Sequence, residues 1–267
     1  MMWLTKKLRR DRTESGAPPA QSPSEDIADQ FHDAWLAAGE QDAADPELMP
    51  VRLARACVAV LPVAGAGISL IYDDFRVPLG ASDADASCAE RLQFTTGQGP
   101  CLQAVRSGDT VVAGRDQIFG SWPEYGQELF AQTPYGAVIS LPLAITTAAH
   151  GALDLYLTDS PMLQRVSLAD ATAVRSQVAE AFQRARAMSS AGRMLSDEPQ
   201  PAWLHGPAAR ERTHVWIAMG MVMTRYGLQA GDALALLRAH AYGIGTTLDQ
   251  LSEELIAGQQ DLADLQP

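Results

Sequence analysis

The side chains best suited to redox, nucleophilic or metal chemistry are three cysteines (Cys57, Cys88, Cys101) and five histidines (His32, His150, His205, His214, His240). Their spacing gives no CxxC pair, no HxxxH turn and no mixed cysteine–histidine cluster of zinc type. Cys101 follows Gly97, Gly99 and Pro100 and opens a helix, where the helix dipole can lower a thiol pKa. That makes it the candidate for redox or adduct chemistry, set against a second reading as a small buried hydrophobe. His150, beside Gly151 at the start of a strand, is the candidate ligand for a metal or haem, set against a histidine at the solvent edge. The run Gly97–Cys101 (GQGPC) lacks the further glycines and the Lys-Ser or Lys-Thr of a phosphate-binding loop, and reads as a structural turn. Asp73 and Asp74 follow a strand, as the acidic pair of a phosphorylated receiver does, but no lysine occurs after Lys7 to complete that site. No Ser–His–Asp or paired-carboxylate pattern is present, so the expectation is a chain that is not an enzyme, with no cofactor and no resident metal.

The elements that would position these groups can be read from periodicity. Residues 1–24 mix five basic side chains between Lys6 and Arg12 with Ser, Pro and Gly, and read as a disordered basic tail. Helical spacing begins with Ile27, Phe31 and Trp35, and a second helix is expected from Asp45-Pro46 through Leu61. Strands are expected over Gly65–Tyr72, Phe75–Leu79, Thr110–Ala113, Ala137–Leu143 and Gly151–Thr158, and a long helix from Ser167 to Met188. Pro199, Pro201, Gly206 and Pro207 break any single helix through residues 189–207, which reads as a linker. Beyond it, Val215–Gly227 (VWIAMGMVMTRYG) is a helix apolar on two faces, Asp232–Ala241 is a second, and a third is opened by the capping box Thr247–Gln250. The uncharged run in the first of these is far short of the about 20 residues that span a bilayer.

Strands in series with helices at both ends point to an α+β fold with an antiparallel sheet. The run Leu92–Ala104 (LQFTTGQGPCLQA), with Ile139–Leu143 (ISLPL) and His150–Tyr156 (HGALDLY), resembles the GAF domain, a small sensor module, over residues 45–188. Ala218–Met223 (AMGMVM), with Ala233 and Leu237–Ala241 (LRAHA), resembles the ANTAR domain of bacterial antitermination regulators over about residues 210–258. The combined resemblance is to actinobacterial GAF–ANTAR regulators. It implies a GAF sensor over 25–188, with its N-terminal helices, and a three-helix ANTAR bundle over 208–267. It further implies a small-molecule ligand for the sensor and binding of tandem RNA hairpins in nascent transcripts by a homodimer. Carried onto this chain, Arg225, Arg238 and His240 would contact phosphate or base. Ala218 and Gly220 would allow close approach, and Thr246 stands where relatives often carry arginine.

Charge tempers that reading. The formal net charge is −12, which argues against broad attraction to nucleic acid or anionic membranes. From Ala208 to Pro267, four arginines (Arg210, Arg212, Arg225, Arg238) face seven carboxylates, a net of −3. Two alternatives therefore stand beside RNA binding: a bundle used only for dimerisation or protein contact, and a redox or metal sensor working through Cys101 or His150. The absence of a leader-like apolar run after Met1 and the unpaired cysteines fit a cytoplasmic protein.

Overall fold

In a computed structural model, residues 23–41, 45–72, 75–145, 150–191 and 201–265 are described. The basic tail up to residue 22, the Asp73-Asp74 pair and residues 192–200 of the linker lie outside the described residues. The order is α1 (Pro23–Gln41), α2 (Met49–Val60), β1 (Gly65–Tyr72), β2 (Phe75–Ala81), α3 (Ala84–Thr96), α4 (Pro100–Ser107), β3 (Val111–Gly114), α5 (Arg115–Ser121), α6 (Pro123–Gln132), β4 (Ala137–Ala144), β5 (His150–Leu157) and α7 (Leu168–Ala191). After a short 3-10 turn at Ala202–His205 come α8 (Pro207–Tyr226), α9 (Ala230–Gly243) and α10 (Leu248–Ile256). The five strands form one antiparallel sheet in the order β2-β1-β5-β4-β3, the α+β architecture expected from the sequence. Among the described residues, no helix is long and apolar enough to cross a membrane.

Alternation along the strands assigns each residue to a face. Ala66 and Ile68 of β1, Ile139 and Leu141 of β4, and Leu153, Leu155 and Leu157 of β5 point to one side, where Leu53 and Cys57 of α2 and Val174, Val178 and Phe182 of α7 complete an apolar core. The opposite side carries Ser69, Ser140, Asp154 and Tyr156, covered by α3, α4 and α6. Pro78 is accommodated because β2 is an edge strand of this sheet.

One expectation is corrected. The helix expected from Asp45-Pro46 opens as a 3-10 turn over Pro46–Leu48, with the Asp45 side chain accepting from the Glu47 N–H, and becomes α-helical only at Met49. Pro50 has no N–H to give the Pro46 carbonyl, so Met49 closes the tighter turn instead. Helix α3, a stretch to which the sequence reading assigned no element, ends with the run Leu92–Thr96. Asp83 caps α3 by accepting from the Ala86 N–H, and Gly97 ends it at φ 68°.

Helices α8, α9 and α10 enclose their own core of Val215, Ala218, Val222, Leu237, Leu248 and Leu251. The 3-10 turn before α8 is not merely solvated linker: Trp203 is buried in the sheet domain's core and packs edge-on to Phe182, ring centroids 5.0 Å apart.

Candidate functional site: a buried polar cluster and the seam beside it

The polar face of the sheet holds a group of charged side chains with almost no exposure. Arg76 on β2, Glu90 and Gln93 on α3, and Asp154 and Tyr156 on β5 are each 0 to 1 % exposed. Arg76 donates to a Glu90 carboxylate oxygen and to the Glu90 backbone carbonyl, and lies 3.5 Å from Asp154. Tyr156 donates its hydroxyl to Glu90 at 2.6 Å, and Ser69 donates to the other Glu90 oxygen. Asp154 accepts from Ser140 at 2.5 Å and from Gln93 at 2.8 Å, and the Gln93 carbonyl accepts the Cys101 N–H at 3.0 Å. Space for this is built into the backbone. A side chain at Gly67 would collide with Glu90, and one at Gly99, where φ is 150°, would collide with Gln93.

Two carboxylates share one guanidinium here. Burial pushes the Asp154 carboxyl well above its usual range, the nearby Glu90 charge pushes it further, and Arg76 only partly opposes them. Isolated charge is costly in such surroundings, and satisfaction by hydrogen bonds is what makes the cluster tolerable. Two polar atoms nevertheless have no partner among the described residues, Arg76 Nε and the buried Tyr125 hydroxyl. The cluster therefore retains hydrogen-bonding capacity that an entering polar group could use.

One turn further along α3, the chain leaves the sheet and enters the helical bundle. Phe94, 0 % exposed, belongs to the core of α8–α10 rather than to the sheet. The Arg212 guanidinium sits 3.6 Å from the centre of its ring and that of Arg238 5.0 Å, both within cation–π range. Arg238 Nε also donates to the Phe94 carbonyl at 3.0 Å, and Thr95 Oγ1 accepts the Leu248 N–H at 3.2 Å. That last bond satisfies an N–H at the start of α10 that no helical carbonyl can reach. Arg212 is paired with Asp249 at 2.9 Å, yet burial still pushes its pKa down to about 10. At the far end of the seam, Arg210 pairs with Glu47. A crevice of about 130 Å³ opens between the domains, lined by Thr95, Thr96, Gln132, Tyr242, Thr246 and Gln250.

The six residues singled out for RNA contact divide between places. Ala218 is fully buried in the bundle core and presents no surface. Gly220 and Arg225 lie together on an open face of α8 with Ile217, Met221 and Thr224. Arg238 and Thr246 are at the seam, and His240 is half-buried in the last turn of α9. Cys101 is 0 % exposed, and burial drives its thiol well above the ordinary value despite the pull of Arg76, so desolvation outweighs the helix N-terminus. His150 is exposed at the start of β5, and among the described residues no group of three or more His, Cys, Asp or Glu is gathered to hold a metal.

The sequence reading missed Arg76, Glu90, Gln93 and Asp154. Asp154 did carry a signal: it is the lone charge in a strand, HGALDLYL, whose neighbours are all buried. The others carried none, because nothing local tells a buried charge in a helix from a solvated one.

No family model matches the chain, and no curated protein matches it. Among solved structures, the chain is similar to a free methionine-R-sulfoxide reductase from Neisseria meningitidis, at 16% identity over 63% of this chain and 95% of that one, with a TM-score of 0.42. It is similar to the GAF domain of a phosphoenolpyruvate-protein phosphotransferase from Coxiella burnetii, at 14% identity over 61% and 98%, with a TM-score of 0.41. A third similar structure is SdiA in complex with octanoyl-rac-glycerol, at 10% identity over 87% of each chain, with a TM-score of 0.38.

Proposed function

We propose that this chain is a signal-regulated RNA-binding antiterminator, with a GAF-type sensor controlling an ANTAR-type bundle that grips paired RNA hairpins as a homodimer. The observation that carries the reading is the placement of the motif-bearing residues. The stretch Val215–Gly227 and the run Leu237–Ala241 fall in one three-helix unit, with Gly220 and Arg225 on an open face of α8. The sensor would take a small polar molecule at the cluster, where Arg76 Nε and the Tyr125 hydroxyl offer unused donors. The reading assigns no catalytic step.

A second reading, a bundle kept for dimerisation or protein contact, is favoured by one specific observation. Of the four bundle arginines, Arg212 is buried against Phe94 and Asp249, Arg210 is paired with Glu47, and Arg238 is held by the Phe94 carbonyl. RNA affinity rests on cations that meet phosphate, and three of these four are tied to other elements of the chain, while Arg225 meets only the ring of its neighbour Tyr226, 5.5 Å away.

Titration of the full chain with a tandem-hairpin RNA, across a salt series and beside Arg225→Ala, separates the two. The antiterminator reading expects affinity that falls steeply with salt and weakens in the variant, with a shallower salt slope by about one. Absence of salt-sensitive binding from 50 mM salt upward, in a chain that remains dimeric, overturns it in favour of the second reading.

A further inference from the structure

We propose that the stretch Glu90–Thr95 of α3 is a mechanical link, so that the pairing inside the sensor's buried cluster sets how tightly the C-terminal bundle is latched to the sensor. The inference concerns contacts between parts of this chain and does not require that the bundle bind RNA.

Two sets of contacts lie side by side on one rigid element. Glu90 and Gln93, three residues apart on α3, are both committed to the cluster: Glu90 to Arg76, Tyr156 and Ser69, Gln93 to Asp154, Tyr156 and the Cys101 N–H. The next two residues, Phe94 and Thr95, are committed to the bundle, through Arg212, Arg238, Trp216 and the Leu248 N–H. No flexible segment intervenes, because the helix runs unbroken to Thr96 and only then turns at Gly97. A side chain at Gly97 would press on the Arg238 guanidinium, so helix end and bundle are closely apposed. Packed elements with committed side chains on both sides shift as units. A polar ligand that re-pairs Gln93 or Glu90 must rotate or withdraw the end of α3. It then withdraws Phe94 from the Arg212 and Arg238 guanidiniums and Thr95 from the α10 N-terminus. Arg212 would be left buried beside Asp249 without its ring partner, which favours opening over a strained closed state.

The Leu248 amide is a built-in reporter. Its hydrogen-bond partner is the Thr95 hydroxyl of the sensor, so its protection from exchange measures docking, whereas amides in the middle of α9 measure the bundle itself and amides of β5 the sheet. Residue-resolved hydrogen exchange on the full chain would compare wild type with Phe94→Ala, Gln93→Met and Ser140→Ala. Phe94→Ala removes the latch. Gln93→Met breaks the link at the cluster with little change of volume. Ser140→Ala subtracts one hydrogen bond from Asp154, on β4, and leaves α3 unaltered.

The expected result is graded acceleration at Leu248: at least a hundredfold in Phe94→Ala, about tenfold in Gln93→Met and several-fold in Ser140→Ala, with β5 and mid-α9 amides unchanged. Leu248 unchanged in Phe94→Ala overturns the latch. Acceleration in Phe94→Ala with none in either cluster variant overturns the link. If Gln93→Met also loosens β5, Ser140→Ala decides the matter alone, and unchanged Leu248 there counts against the proposal.

Discussion

The two faces of the sheet are equally buried and built on opposite principles. One is lined by Leu153, Leu155, Leu157, Ile139 and Leu141 against α2 and α7, where any apolar side chain of similar volume would serve. The other spends its interior on Arg76, Glu90, Gln93, Asp154 and Tyr156, each tied to a named partner. Apolar cores stabilise without directing; a buried charged cluster contributes little net stability and holds its members in one arrangement. The face that is costly to build is also the one whose covering helix reaches the C-terminal bundle through Phe94 and Thr95, and the proposed latch uses that continuity.

Arg76→Met leaves Glu90 and Asp154 buried without their cation, so chemical denaturation is expected to show a loss of about 3–5 kcal/mol. A loss under 1 kcal/mol would mean the cluster is no more costly to disturb than surface. On the apolar face, Leu155→Ala is expected to cost about 2–5 kcal/mol through its cavity. Under native conditions the docking reporter at Leu248 should accelerate no more than the neighbouring bundle amides in that variant. Selective loosening of Leu248 by Leu155→Ala would erase the functional distinction between the faces.

Asp154→Asn sharpens the contrast through pH. Because the folded carboxyl titrates above its unfolded value, ionising it opposes folding, and its cost to stability grows as pH rises above the ordinary carboxylate range. The stability of Asp154→Asn relative to wild type is therefore expected to increase from about pH 4 upward, levelling only past the folded pKa. Parallel pH profiles for the two proteins would show that Asp154 is not held out of its usual range.

Much of this architecture was legible in sequence. All five strands and the long α7 follow from runs of alternating or β-rich apolar residues, and the three C-terminal helices from periodicity and the Thr247 cap. Helix α3 was not, because the residues it buries include Glu90, Gln93 and Thr95, which disguise the stripe by which a helix declares its inner face. The seam was invisible for a related reason: Phe94, Arg212 and Arg238 are far apart in the chain, and each alone reads as an ordinary residue of its own helix. Arg212 in particular counts as a surface cation in sequence and as a core residue in the fold.

The most direct measurement is the affinity of full-length wild type and Phe94→Ala for one tandem-hairpin RNA at two salt concentrations. If the sensor holds the bundle in a docked state that occupies Arg238, opening the latch should raise affinity about tenfold or more, with the larger gain at low salt. Equal affinities, with Leu248 shown by exchange to be released, would contradict sensor control of RNA binding.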